Sequence, residues 1–339
     1  MHLFFKRFRY PSAILTFCIL TASDCFAFEK PFQVYSLLRN VEGKFISKQS
    51  LLSLEKKLKE VGFDQSTNFS GFKYSLNPVV SFEDNFNGGN PKKTLEIGGM
   101  QFVSDPAYFK QEDLGIGSEI ILSARNVYGR GKYFDLSYNL SGQYGVKTGD
   151  NIFTSNARLC SNNHIYDWVY LNICSQKTIL KKNLTENKEI GQSISASKFF
   201  SSKPNITHSV STEISSVNFY SFEQKQISLM WSVNKSLVDV GSFRLHLGES
   251  VSSQHALKQG VSLEFFVPIQ GKRVQVKTSQ KKYDGGMLLG VSRKERITTL
   301  NTSFSLSKNV ILQLGVEKIN SNIDYYDTIN PILKFRMNF

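Results

Sequence analysis

From about residue 72 onward, apolar side chains recur at every second position, segment after segment. That period puts successive side chains on opposite faces of an extended strand. Phe72, Tyr74, Leu76, Val80 and Phe82 share one face, and Lys73, Ser75, Asn77, Ser81 and Glu83 the other. Phe134, Leu136, Tyr138 and Leu140 alternate with Asp135, Ser137, Asn139 and Ser141. The pattern returns at Ile227–Val233, Phe243–Leu247, Val261–Val267 and Val310–Val316. Turn-forming clusters separate the segments, among them Gly129-Arg130-Gly131, Thr148-Gly149-Asp150, Gln270-Gly271-Lys272, Asp284-Gly285-Gly286 and Ser307-Lys308-Asn309. The chain is therefore all-β over most of its length.

Alternation alone allows a soluble sandwich, a soluble barrel or a membrane barrel. Three features favour the membrane. The segments are near ten residues, the length a tilted strand needs to cross hydrocarbon. The polar face carries charges and amides on strand after strand, as a wet lumen would. The apolar face is rich in Phe, Tyr and Leu, which suits lipid and interfacial aromatic girdles. Over 72–339, about 268 residues at roughly 19 per strand and connection predict a transmembrane antiparallel β-barrel of about 14 strands.

The final segment, Ile329–Phe339, sharpens this reading. Leu333, Phe335, Met337 and Phe339 are apolar at alternate positions, while Lys334, Arg336 and Asn338 face the other way. The pattern resembles the C-terminal assembly signal of bacterial outer-membrane barrels, which implies recognition by the barrel-assembly machinery. A membrane strand must pair on both sides, so this strand is expected to close against the first.

The N-terminus reads differently. Lys6, Arg7 and Arg9 precede the apolar run Ser12–Leu20, and Cys25-Phe26-Ala27 offers small residues at a cleavage site. Residues 1–27 are thus expected to be a secretory signal peptide cleaved after Ala27. Asp24 before Cys25 argues against lipidation there. Residues 28–71 are expected to form a periplasmic segment with one short helix. Leu51, Leu54, Leu58 and Val61 have helical spacing, with Ser50 as cap and Gly62 as stop. This segment either plugs the barrel mouth or is a tether.

Beyond the leader, Cys160 and Cys174 remain, and an exported chain with two cysteines points to one disulfide. A metal site with His164 lacks a fourth ligand and short Cys spacing. The net charge is +13, but Lys and Arg are dispersed through alternating strands. That distribution suits outer-membrane lipid and lipopolysaccharide, or an anion-preferring lumen, better than nucleic acid. No GxSxG elbow, phosphate loop or HExxH occurs. His164, His208, His246 and His255 are isolated and expected in lumen or loops. No enzyme activity and no cofactor are expected.

Arg293-Lys294-Glu295-Arg296, Leu306–Asn309 and Ser321–Asp327, together with the opening Asn77–Asn87, resemble the two barrel ends of surface lipoprotein assembly modifiers. The resemblance implies an outer-membrane barrel that translocates a lipoprotein or other protein to the cell surface. The residues alone also admit a passive solute porin, or a structural or adhesive surface protein.

Overall fold

The computed structural model describes residues 30–42, 48–63, 69–97, 99–236, 238–269, 272–288, 290–307 and 309–337. The proposed leader lies outside them, as does Phe339. Among the described residues, fourteen antiparallel strands form a closed barrel. The first is β1 (Ser70–Glu83). A small separate hairpin follows, β2 (Thr94–Ile97) and β3 (Met100–Val103). The remaining strands are β4 (Asp113–Gly129), β5 (Lys132–Gly145), β6 (Asn151–Tyr166), β7 (Val169–Lys181), β8 (Glu186–Lys203), β9 (Ile206–Asn218), β10 (Glu223–Lys235), β11 (Val238–Gly248), β12 (Ala256–Ile269), β13 (Lys272–Leu288), β14 (Val291–Ser307), β15 (Val310–Ser321) and β16 (Thr328–Met337).

Each strand pairs with its neighbour in sequence, and the ring closes where β16 meets β1. There Val80 sits opposite Phe335 and Phe82 opposite Leu333. Closure leaves no open edge to lipid, the condition for strands to span a bilayer. The alternation sorts as the sequence implied. Phe72, Tyr74 and Leu76 are exposed on the outer face of β1, while Ser75, Asn77 and Ser81 are buried inside. On β16, Leu333 is exposed outward and Arg336 is buried inward.

The two rims differ. At one, the connections are tight: Arg130-Gly131 joins β4 to β5, Asp167-Trp168 joins β6 to β7, and Pro204-Asn205 joins β8 to β9. The barrel's first strand begins at this rim and its last strand ends there. The other rim carries longer loops, including 84–112, 249–255 and 322–327. Short periplasmic turns and longer external loops are usual for such barrels, and they orient this one. One expected turn is not a turn. Asp284-Gly285-Gly286 lies within β13 as a bulge, where both glycines take positive φ of 90° and 73°. Two glycines let the strand absorb the extra residues and run on.

The N-terminal segment holds two helices, α1 (Pro31–Val41) and α2 (Lys48–Glu60). The expected helix is α2. It begins two residues before Ser50, which therefore lies inside it and is not its cap. Gly62 ends it as expected, at φ +78°, with the Phe63 amide donating to the Leu58 carbonyl. Helix α1 was not foreseen.

Candidate functional site

Inward-facing residues make the lumen, and two structures narrow it. The first is the helical pair at the short-turn rim. Val34 and Tyr35 of α1 and Val61 after α2 are buried with Val127, Tyr133, Tyr170 and Phe199 of the barrel wall. Phe32 packs on Phe199 at 5.4 Å, and Tyr35 on Trp168 at 5.0 Å. Polar contacts fix the seat. The Ser36 and Thr207 hydroxyls are 2.5 Å apart in a buried hydrogen bond, and the Tyr35 hydroxyl lies 3.3 Å from Ser201 Oγ.

Helix α2 is held at its C-terminus. Arg125 donates from Nη1 to the Glu60 carbonyl oxygen at 3.1 Å, and a cation there complements the helix dipole. The same guanidinium grips Asp135 through two bonds of 2.5 and 2.7 Å and lies 4.1 Å over the Tyr133 ring. Next to it, the Gly131 amide donates to the Gly62 carbonyl at 2.8 Å. A side chain at Gly62 would come within 2.8 Å of the Gly129 carbonyl oxygen. Backbone meets backbone here, which only glycine allows.

The second narrowing element is loop 84–112 at the opposite rim. Its Phe86 is fully buried between Ile152 and Leu180 inside the barrel. Lys182 fastens the loop on one side, donating to the Asn85 carbonyl at 2.6 Å and pairing with Glu83 at 3.4 Å. On the other side Lys92 donates to the Asp324 carbonyl.

What stays open is an off-centre passage along β6–β15, a cavity of about 600 Å³. It runs from Lys30, Phe32 and Gln33 of the N-terminal segment, past Arg158, Glu213 and Arg244, to His255 near the loop rim. Five basic residues line it (Lys30, Arg158, Arg244, Lys277 and Lys281), and so do five acidic ones (Glu189, Glu213, Asp239, Glu264 and Glu317). Ser, Gln and Asn share the wall between with apolar side chains such as Phe219, Phe222, Met230 and Phe266. The wall outside this passage, toward β1 and β16, is packed instead. There Glu119 is buried with Arg336 at 3.1 Å and accepts from Asn139 at 2.9 Å.

The cysteines are bonded to each other, directly opposite across β6 and β7. Both are buried on the lumen side, and Arg158 donates to Cys174 Sγ at 3.4 Å. His164 packs edge-on to Phe63 and Tyr170 at the plug seat. Among the described residues, no group of three or more His, Cys, Asp or Glu could hold a metal. His246 and His255 line the passage. His208 departs from expectation. It faces outward at the short-turn rim, stacked against Phe200 and Trp231 in the aromatic girdle. Leu333, Phe335 and Met337 lie on the closing strand, apart from the passage.

No family model matches the chain, and no curated protein matches its sequence. The resemblance to surface lipoprotein assembly modifiers therefore finds no support. Several solved barrels align at low identity. OccAB3 of Acinetobacter baumannii is 7% identical over 79% of this chain and 99% of its own, at TM-score 0.41. A BenF-like porin from Pseudomonas fluorescens Pf-5 is 10% identical over 82% and 100%, at 0.42. OccK10 (OpdN) of Pseudomonas aeruginosa is 8% identical over 80% and 98%, at 0.43.

Proposed function

We propose that the protein is a passive outer-membrane channel for small polar solutes, narrowed at its periplasmic mouth by its own N-terminal helices. The passage of about 600 Å³, lined by charged side chains of both signs, carries this reading. That volume is of the order of small-molecule pockets, roughly 300–1,000 Å³, and is far below that of a polypeptide cargo. The even count of acids and bases along it favours weak ion selectivity, since pore selectivity follows the charge of the lining. It also suits solutes that bear both charges.

Export of a lipoprotein asks for a wider route or a side opening, and no observation favours either. An adhesive role would leave the lined passage without a purpose. The protein is not an enzyme in this reading. It reaches the outer membrane by cleavage after Ala27 and by delivery to the barrel-assembly machinery. Planar-bilayer recording of the refolded protein tests the proposal. Small unit conductance is expected, with a larger unit conductance once residues 30–63 are deleted. Silent bilayers from both forms, with folding confirmed by gel mobility, would overturn it.

A further inference from the structure

On the outer face of β12–β15, the apolar belt stops and a cluster of cations begins. Leu300 on β14 and Val316 on β15 are exposed outward. Moving toward the loop rim, the next outward positions include Arg296 and Lys294 on β14 and Lys318 on β15, all exposed. Direction follows from the neighbours. Glu295 and Ile297 are buried inward on either side of Arg296, and Lys281 and Tyr283 line the passage on either side of Lys282.

The register concentrates the charge. Lys282 sits directly opposite Arg296, and Thr298 opposite Lys318, which places Lys318 on the diagonal from Arg296. Directly opposed side chains have Cβ atoms about 5 Å apart, and like charges in such pairs destabilise a sheet. The carboxylate of Asp284 is opposite Lys294 and 3.6 Å from Lys258. Among the described residues, no ion pair answers Lys282, Arg296 or Lys318. Such an arrangement calls for an anion from outside the chain. At this height, just beyond the apolar belt on the loop side, the available anions are the headgroups of the outer leaflet.

We infer that the Lys282–Arg296–Lys318 face binds the phosphates of a phosphorylated glycolipid in the outer leaflet. Arg presents a fork that matches phosphate oxygens, and flanking Lys adds point charges. The inference uses the membrane placement of the barrel but not its conduction, so the two can fail separately.

The test titrates full-length protein in detergent micelles with diphosphorylated lipid A and follows bound lipid by native mass spectrometry. The triple variant K282Q/R296Q/K318Q is expected to bind about tenfold or more weakly, given the attraction contributed by each cation near an anionic surface. Dephosphorylated lipid A should bind the natural protein as weakly. A control triple at the opposite rim, K132Q/K203Q/K235Q, should bind lipid A normally. Heat-modifiable gel mobility verifies folding of each variant. Equal lipid A affinity in natural protein and the loop-rim triple would overturn the inference, as would phosphate-independent binding.

Discussion

Arg125 of the barrel wall donates a hydrogen bond to the main-chain carbonyl of Glu60, the last residue of α2. It joins plug to wall through a side chain that Asp135 and the Tyr133 ring already hold in place. Replacing Arg125 with Met removes the bond and one cation from the α2 C-terminus, where Lys57 and Lys59 remain. A hydrogen bond to a charged group contributes about 1.5–3 kcal/mol, so the docked population should fall by roughly ten- to a hundredfold relative to the undocked one. Limited proteolysis between residues 43 and 68 should accelerate, while the barrel keeps its gel mobility. Unchanged cleavage would mean that Arg125 does not hold the plug.

The Ser36–Thr207 pair offers the converse experiment. Its oxygens are 2.5 Å apart, so Ser36→Cys with Thr207→Cys should cross-link α1 to β9 on oxidation. If the helices move to admit solute, the oxidised double variant conducts less than its reduced form. Equal currents in both states would fix the helices as a static constriction.

These predictions concern elements that the sequence revealed unequally. The barrel was legible because the two-residue period, the charges on one face and the aromatics on the other survive in each strand without knowledge of its partners. Helix α1 was signalled too, by Val34, Leu37, Leu38 and Val41 at helical spacing after Pro31 in the first turn. Its packing was not legible, because Val34 and Tyr35 are buried only where Tyr170 and Phe199 meet them. The same holds for Phe86, whose loop reads as a turn cluster until Ile152 and Leu180 enclose it. Helix packing depends on distant partners, whereas strand periodicity is local. The passage itself follows from which arc of the lumen the helices and loop 84–112 leave open, and no short stretch of sequence encodes that.

The disulfide was legible, but its lumen position was not. Closing a loop of about 15 residues contributes roughly 3 kcal/mol in the chain-entropy account. The hairpin already holds Cys160 opposite Cys174 in register, so the benefit lies in the unfolded chain. Cys160→Ala with Cys174→Ala should lower the urea midpoint of unfolding yet leave unit conductance nearly unchanged. An unaltered midpoint would contradict this.

His255, in the loop before β12, supplies a pH dependence. Burial depresses its pKa to about 3, and neighbouring Arg293 acts in the same direction. Glu295 lies 3.3 Å from its Nε2, but Arg293 engages that carboxylate at 2.5 Å, which weakens its pull on a proton. In the unfolded chain His255 titrates near 6.5. Above that pH it is neutral in both states and costs nothing. Between about 6.5 and about 3 the unfolded chain takes up a proton that the folded chain refuses, so stability falls as pH falls through that window. His255→Phe keeps the stack on Tyr283 and removes the titration. Its Tm should decline less between pH 7 and pH 4 than that of the natural protein, and parallel declines would refute the assignment.

Phe335 links sequence pattern to assembly. It lies opposite Val80 on one side and Leu312 on the other, on the outward face of the strand that closes the ring. Arg336, the next residue, is buried inward against Glu119. A charge at 335 must therefore enter the lipid face or rotate the strand, and a one-residue slip would turn Arg336 outward as well. Acidic residues on the lipid face cost less than the ~2–4 kcal/mol of Lys or Arg at the midplane. Phe335→Asp should still slow closure, because the strand must pair on both edges. Glu119→Gln with Arg336→Gln removes both members of the buried pair together and leaves neither of the two charges facing an uncharged partner, so it should assemble far better. Heat-modifiable mobility of outer-membrane fractions compares the two. Full assembly of the Phe335→Asp form, with loss confined to the lumen pair, would reverse the roles assigned to the two faces of β16.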